Sequence, residues 1–238
     1  MKILYKIYTF LIAWPLMIVC TAIIGTLSAI GALFGDNFLF GYYLPHIWAK
    51  ISCALFLIKV EIIGRGNIKK DQSYVFLANH QGYFDIFLVY GYLGHNFKWM
   101  IKEYLKKMPF IGMACMSTNQ IFVGDSISSI SKAVEKARKT LNGGMSMVIF
   151  PEGTRSHDGE MMPFKRGAFM LANEIGLPIV PLSISGSYDI FSRNAKTVSC
   201  GKLTLTIHNP ISEEERTGKQ TKILMQEVHD IIENGIIK

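Results

Sequence analysis

Between Lys6 and Asp36 the chain carries no charged side chain, and no other stretch limits its fold as strongly. A helix crosses the apolar core of a bilayer in ~20 residues, and the run Ile7–Gly35 exceeds that length. Lysines ahead of an apolar run also suit a signal peptide, but the apolar part of such a peptide is normally only ~7–15 residues, so this segment reads as retained. A second uncharged stretch, Asn37–Ala49, continues past Lys50 as Ile51–Ile58. Pro45, His46 and Lys50 make it a poor full span, and it reads as a return helix. Lys2 and Lys6 favour a cytoplasmic N-terminus, so a single crossing would put the remainder outside, whereas a hairpin held in one leaflet keeps it cytoplasmic. The expected arrangement is a membrane-embedded helical hairpin over 1–58 and one globular domain over 59–238, on the cytoplasmic side.

That domain is basic. The chain's net charge is +7 and its pI near 9.2, which suits an anionic partner: nucleic acid, a phospholipid surface or a phosphorylated substrate. Cys20, Cys53, Cys115 and Cys200 lie far apart without a C-x-x-C pair and read as reduced. Short apolar runs recur at Val60–Ile63, Tyr74–Ala78, Ile121–Val123, Met147–Phe150, Ile179–Ser185 and Leu203–Ile207. Helical patterns lie between them. Asp125-Ser126 caps one running to about Asn142, stopped by Gly143-Gly144. Arg166–Ile175 is a short one ended by Gly176 and Pro178. Ser212-Glu213-Glu214-Glu215 forms a capping box ahead of a final helix through Asn234. Apolar strands alternating with helices predict an α/β fold with a mainly parallel sheet flanked by helices.

Two polar stretches interrupt this pattern at strand ends. The first is N-H-Q-G-Y-F-D, Asn79–Asp85. On one regular helix His80 and Asp85 would lie roughly 140° apart and could not meet. They meet if His80 leaves the end of the strand, Gly82 turns the chain, and Asp85 falls in the first turn of the next helix. There a carboxylate would fix the tautomer of a histidine poised to accept a proton. A histidine packed at a strand end beside an aspartate that favours a helix N-terminus is the other reading, and these residues alone leave both open. The second stretch is F-P-E-G-T-R-S, Phe150–Ser156. Pro151 and Gly153 shape a turn that carries Glu152, Thr154, Arg155 and Ser156, and arginine takes phosphate in a bidentate fork.

Together the two stretches resemble the glycerolipid acyltransferase family, whose marks are N-H-x-x-x-x-D, a block ending near I-F-I-D-R, F-P-E-G-T-R-S, and a proline-flanked apolar strand. Here these are met by Asn79–Asp85, Phe150–Ser156, L-P-I-V-P-L at Leu177–Leu182, and F-K-R-G-A-F at Phe164–Phe169, over roughly residues 50 to 212. Met100–Leu105 matches the family's lysine-containing entry to the second block, but Asp125 stands where an arginine is usual. That departure bears on the acceptor's headgroup and leaves His80 and Asp85 untouched.

The resemblance implies a membrane-bound enzyme that moves a fatty acyl group from acyl-CoA or acyl carrier protein to the free hydroxyl of 1-acyl-sn-glycerol-3-phosphate, giving phosphatidic acid. His80 would be the general base and Asp85 its orienting partner. Lys102, Glu152, Gly153, Thr154 and Arg155 would bind the acceptor. No cofactor beyond the thioester co-substrate is implied, and no metal or nucleic acid: His46, His95, His157, His208 and His229 show no ligand-type spacing. Neither a G-x-S-x-G elbow nor a P-loop occurs. The alternatives are an acyltransferase acting on another lysophospholipid, and a non-catalytic, membrane-tethered lipid-binding protein.

Overall fold

The computed structural model describes residues 2–32, 39–108, 111–124 and 126–237. An apolar helix runs as α1 (Lys2–Tyr8), through a π-helical turn at Thr9–Ala13, into α2 (Trp14–Ala32). It is the one described helix long and apolar enough to cross a bilayer. Little of it is buried; Phe10 is 74% exposed. The chain returns through a second π turn, Leu39–Tyr43, into α3 (Leu44–Leu55), where Pro45 sits in the first turn and its missing N–H is no loss. The start of the second uncharged stretch, Asn37 and Phe38, lies outside the described residues. The two arms run antiparallel. Tyr5 and Tyr8 hydroxyls donate to the Phe56 and Leu55 carbonyls at 2.8 and 2.9 Å, and Trp48 Nε1 donates to Thr21 Oγ1 at 2.9 Å.

The rest alternates. In order come β1 (Lys59–Ile63), β2 (Val75–Ala78), α4 (Phe84–Tyr92), β3 (Phe97–Lys102), α5 (Ile111–Ser117), β4 (Ile121–Val123), α6 (Ile127–Thr140), β5 (Ser146–Ile149) and α7 (Arg166–Ile175). Then follow β6 (Ile179–Ser185), α8 (Ser187–Phe191), β7 (Lys202–Ile207), α9 (Glu213–Arg216) and α10 (Thr221–Asn234). One sheet forms in the order β1-β7-β6-β2-β5-β3-β4, parallel except where β6 meets β7. The α/β expectation holds.

Strand periodicity divides the core in two. Phe76 and Ala78 of β2 and Val148 of β5 face a core shared with α3 and α4, while Val75, Leu77, Met147 and Ile149 face one shared with α6, α7 and α10. The β2–β3 connection passes β5 on the α4 side, and the β5–β6 connection passes β2 on the α7 side. The chain therefore leaves neighbouring strands in opposite directions, which opens a crevice at their C-terminal ends, where doubly wound sheets bind ligands. On the outer side of α4, α3 packs so closely that a Cβ on Gly91 would touch Ala49 and Lys50.

The helices α5 and α8 had no counterpart in the sequence reading, and two further elements differ from it. β3 was not among the expected strands, because Lys98 breaks its apolar run; that lysine is nevertheless buried, its ammonium donating to the Thr118 carbonyl at 2.8 Å. The final helix is two helices rather than one, α9 and α10, separated by a turn in which Gly218 adopts φ 81°. Its capping box forms as expected, between Ser212 and Glu215.

Candidate active site

The end of β2 is tied down by a side chain acting as backbone. Asn79 is fully buried; its Nδ2 donates to the Ile184 carbonyl at 2.9 Å, and the Ile184 N–H donates to its Oδ1 at 2.7 Å. The carboxamide thus continues the ladder to β6 while the main chain turns away. Gly82 completes the turn, because a Cβ there would collide with the hydroxyl and carbonyl of Ser187 at the start of α8.

His80 and Asp85 meet as the strand-turn-helix geometry predicts. His80 Nδ1 lies 2.7 Å from Asp85 Oδ2, and the same oxygen accepts the Gln81 and Gly82 backbone N–H groups at 2.7 and 2.9 Å. Asp85 is completely buried, in the first turn of α4. The carboxylate accepts, so Nδ1 carries the proton and Nε2 holds the lone pair. Nε2 has no hydrogen-bond partner among the described residues, and the side chain keeps 14% of its surface exposed. The ring is held flat against Phe150, centroids 3.9 Å apart and planes within 9°, and Phe150 in turn stacks on Trp99 at 5.3 Å. The motif reading placed no role on Phe150 or Trp99. The available signal was an aromatic residue directly ahead of the Pro151 turn.

The loop after β5 grips His80 from its main-chain side. Glu152, only 2% exposed, accepts the His80 N–H at 2.7 Å through Oε1 and the Met162 N–H at 3.0 Å through Oε2. Burial pushes its carboxyl up to about 7 against the pull of both amides, and the nearby Asp85 charge adds to the rise. Ser156 N–H donates to the His80 carbonyl at 2.8 Å, and its hydroxyl donates to the Glu160 carbonyl at 2.7 Å. Gly153 adopts φ 74°, and the Lys165 side chain lies against the space a Cβ would take. Glu152 and Gly153 thus shape the loop.

Arg155 is held differently. Its guanidinium carbon lies 3.6 Å from the centroid of the Tyr83 ring, and its Nη1 is buried without a hydrogen-bond partner. Thr154 is exposed, with Oγ1 3.5 Å from Nη1 of Arg193, a residue the motifs did not mark. Lys102 ends β3, partly buried. Asp125 lies outside the described residues. His229, Asp230 and Glu233 on α10 approach one another within 4.8 Å, but both carboxylates are exposed.

An imidazole with Nδ1 fixed on a buried carboxylate and Nε2 open is arranged to take a proton from a hydroxyl. A guanidinium with an unmatched N–H is arranged to hold an anionic oxygen. Among the described residues no serine or cysteine bonds the His80 ring.

The acyltransferase family matches residues 59–185. A chloroplastic 1-acyl-sn-glycerol-3-phosphate acyltransferase of Brassica napus is 32% identical over 72% of this chain and 50% of its own length. The human 1-acyl-sn-glycerol-3-phosphate acyltransferase alpha is 32% identical over 73% of this chain and 62% of its own. The chain thus spans about half the length of the plant relative. The crystal structure of the 1-acyl-sn-glycerophosphate (LPA) acyltransferase PlsC from Thermotoga maritima superposes with a TM-score of 0.79 at 25% identity, over 98% of this chain and 94% of that one.

Proposed function

This chain belongs to the acyltransferase family, and from that premise we propose that it acylates the free hydroxyl of 1-acyl-sn-glycerol-3-phosphate, using acyl-CoA or acyl carrier protein as donor and releasing phosphatidic acid and the free thiol. The observation that carries the reading is the His80–Asp85 pair, 2.7 Å apart, with Nε2 left open at the mouth of the β2–β5 crevice.

In this reading His80 Nε2 takes the hydroxyl proton as the acceptor oxygen attacks the thioester carbonyl. Asp85 holds the Nδ1 proton and stabilises the imidazolium. Collapse of the tetrahedral adduct re-forms the carbonyl and breaks the carbon–sulfur bond, and His80 returns its proton to the departing thiolate. The thioester is already activated, so no acyl-enzyme is needed. The Glu152 clamp positions His80, with Gly153 fixing the turn, while Arg155 takes the phosphate. Lys102, at the end of β3, and Thr154, on the rim of the loop, complete the acceptor side.

The apolar helix Lys2–Gly31 holds this site at a membrane, where both long-chain substrates reside. Lys2 and Lys6 favour a cytoplasmic N-terminus, and the return of the chain through α3 brings the catalytic domain back to that side.

The test is to supply the purified protein with acyl-CoA or acyl carrier protein and a panel of lysolipids, and to follow thiol release. Turnover on lysophosphatidate above the other acceptors supports the reading. Turnover on a different lysolipid, with lysophosphatidate ignored, would assign another acceptor, as Asp125 in place of arginine would then explain. No thiol release with any pair would favour a binding protein.

A further inference from the structure

We propose that Arg193 is a second ligand for the acceptor's phosphate, making with Arg155 a two-guanidinium clamp selective for a phosphate monoester; this rests on the acyltransferase reading above. Arg193 is exposed, and its Nη1 lies 3.3 Å from His157 Nε2 and 3.5 Å from Thr154 Oγ1. Both are neutral acceptors when the guanidinium donates to them. Among the described residues it makes no ion pair, whereas Arg138 is paired with Glu174 and Arg216 is spread over three oxygen acceptors. A cation left without a counter-charge beside a catalytic loop is available to an anionic ligand.

Its placement is built in. Ser192 bridges to Gly82 of the turn that carries His80, and the Tyr83 N–H donates to the Phe191 carbonyl at 3.1 Å. The Phe191 ring lies 4.8 Å from that of Tyr83, whose ring also supports the Arg155 guanidinium. On its other side Phe191 meets Trp14 of the apolar helix at 5.8 Å, and Trp14 is itself set against Phe56 at 5.1 Å. The membrane helix, the His80 turn and the segment bearing Arg193 are therefore one packed unit. Arg155 and Arg193 reach the same loop from two connections, one after β5 and one after β6.

Two guanidiniums match a specific charge. A phosphate monoester carries about −1.5 to −2 at neutral pH, enough for two such partners. A phosphodiester carries one charge and has one fewer terminal oxygen, and a monoacylglycerol has none. The clamp thus selects for the acceptor's ionic state as well as for its hydroxyl.

The experiment compares steady-state kinetics of the full chain in mixed micelles for wild type, Arg193→Ala and Arg193→Lys. The acceptors are lysophosphatidate, lysophosphatidylglycerol and monoacylglycerol. Arg193→Ala should raise KM for lysophosphatidate about 10-fold or more, the lower end for a charge-assisted hydrogen bond, with kcat changed by less than about 2-fold. Its KM for monoacylglycerol should not move, and Arg193→Lys should recover part of the loss. Equal KM changes on all three acceptors, or none on lysophosphatidate, would overturn the clamp while leaving the acyltransferase reading in place. A wild type inactive on lysophosphatidate would overturn the clamp together with the assignment of lysophosphatidate as acceptor.

Discussion

Glu152 holds His80 by its backbone N–H at 2.7 Å, through a carboxyl that is almost fully buried. Its other oxygen takes the Met162 N–H, so one side chain ties the catalytic turn to the far end of the loop. Because burial raises this carboxyl from 4.5 to about 7, the folded chain binds the proton more tightly than the unfolded one. The stabilisation is complete below about pH 4.5 and is lost as the pH rises to about 7. In Glu152→Gln that titration is gone. Denaturant unfolding in detergent should show wild type losing about 3 kcal/mol relative to the variant between pH 4.5 and 7. A difference that stays constant across that range would show that folding does not raise the Glu152 carboxyl.

Asn79 should matter for stability before chemistry. Replacing it with alanine leaves the buried N–H and carbonyl of Ile184 without partners, at ~1–3 kcal/mol each, so the unfolding free energy should fall by about 2–6 kcal/mol. Asn79→Asp should also destabilise, since its carboxylate would face the Ile184 carbonyl where the amide now donates. An Asn79→Ala protein as stable as wild type would remove Asn79 from the ladder.

Among the described side chains of the motif loop, Arg155 alone carries an N–H that is buried and unmatched. Arg155→Ala should lower kcat/KM for lysophosphatidate by about 10- to 150-fold, the range for a charge-assisted hydrogen bond. Monoacylglycerol should be nearly indifferent. Parallel losses on the two acceptors would mean that the arginine shapes the loop through Tyr83 and does not hold phosphate.

The α/β class and the meeting of His80 with Asp85 were legible in the sequence, because strand runs, a turn glycine and a helix start are local signals. β3 was hidden, since burying Lys98 depends on a carbonyl twenty residues away, at Thr118. Reading Glu152 as an acceptor ligand followed from the family resemblance. Its two backbone partners, at positions 80 and 162, become visible only once the sheet sets β2 beside β5. Arg193 escaped for the same reason: nothing near it in the chain resembles a site, and it reaches Thr154 across 39 residues.

The central claim is that His80 Nε2 accepts the proton of the attacking hydroxyl. The direct measurement is the turnover of purified His80→Ala on lysophosphatidate, by thiol release, with membrane attachment and unfolding midpoint checked against wild type. General-base catalysis contributes ~10²–10⁴-fold, so turnover should fall to about a hundredth of wild type or less, with the protein folded and membrane-bound. A folded His80→Ala enzyme that keeps more than about a tenth of wild-type turnover would contradict the assignment.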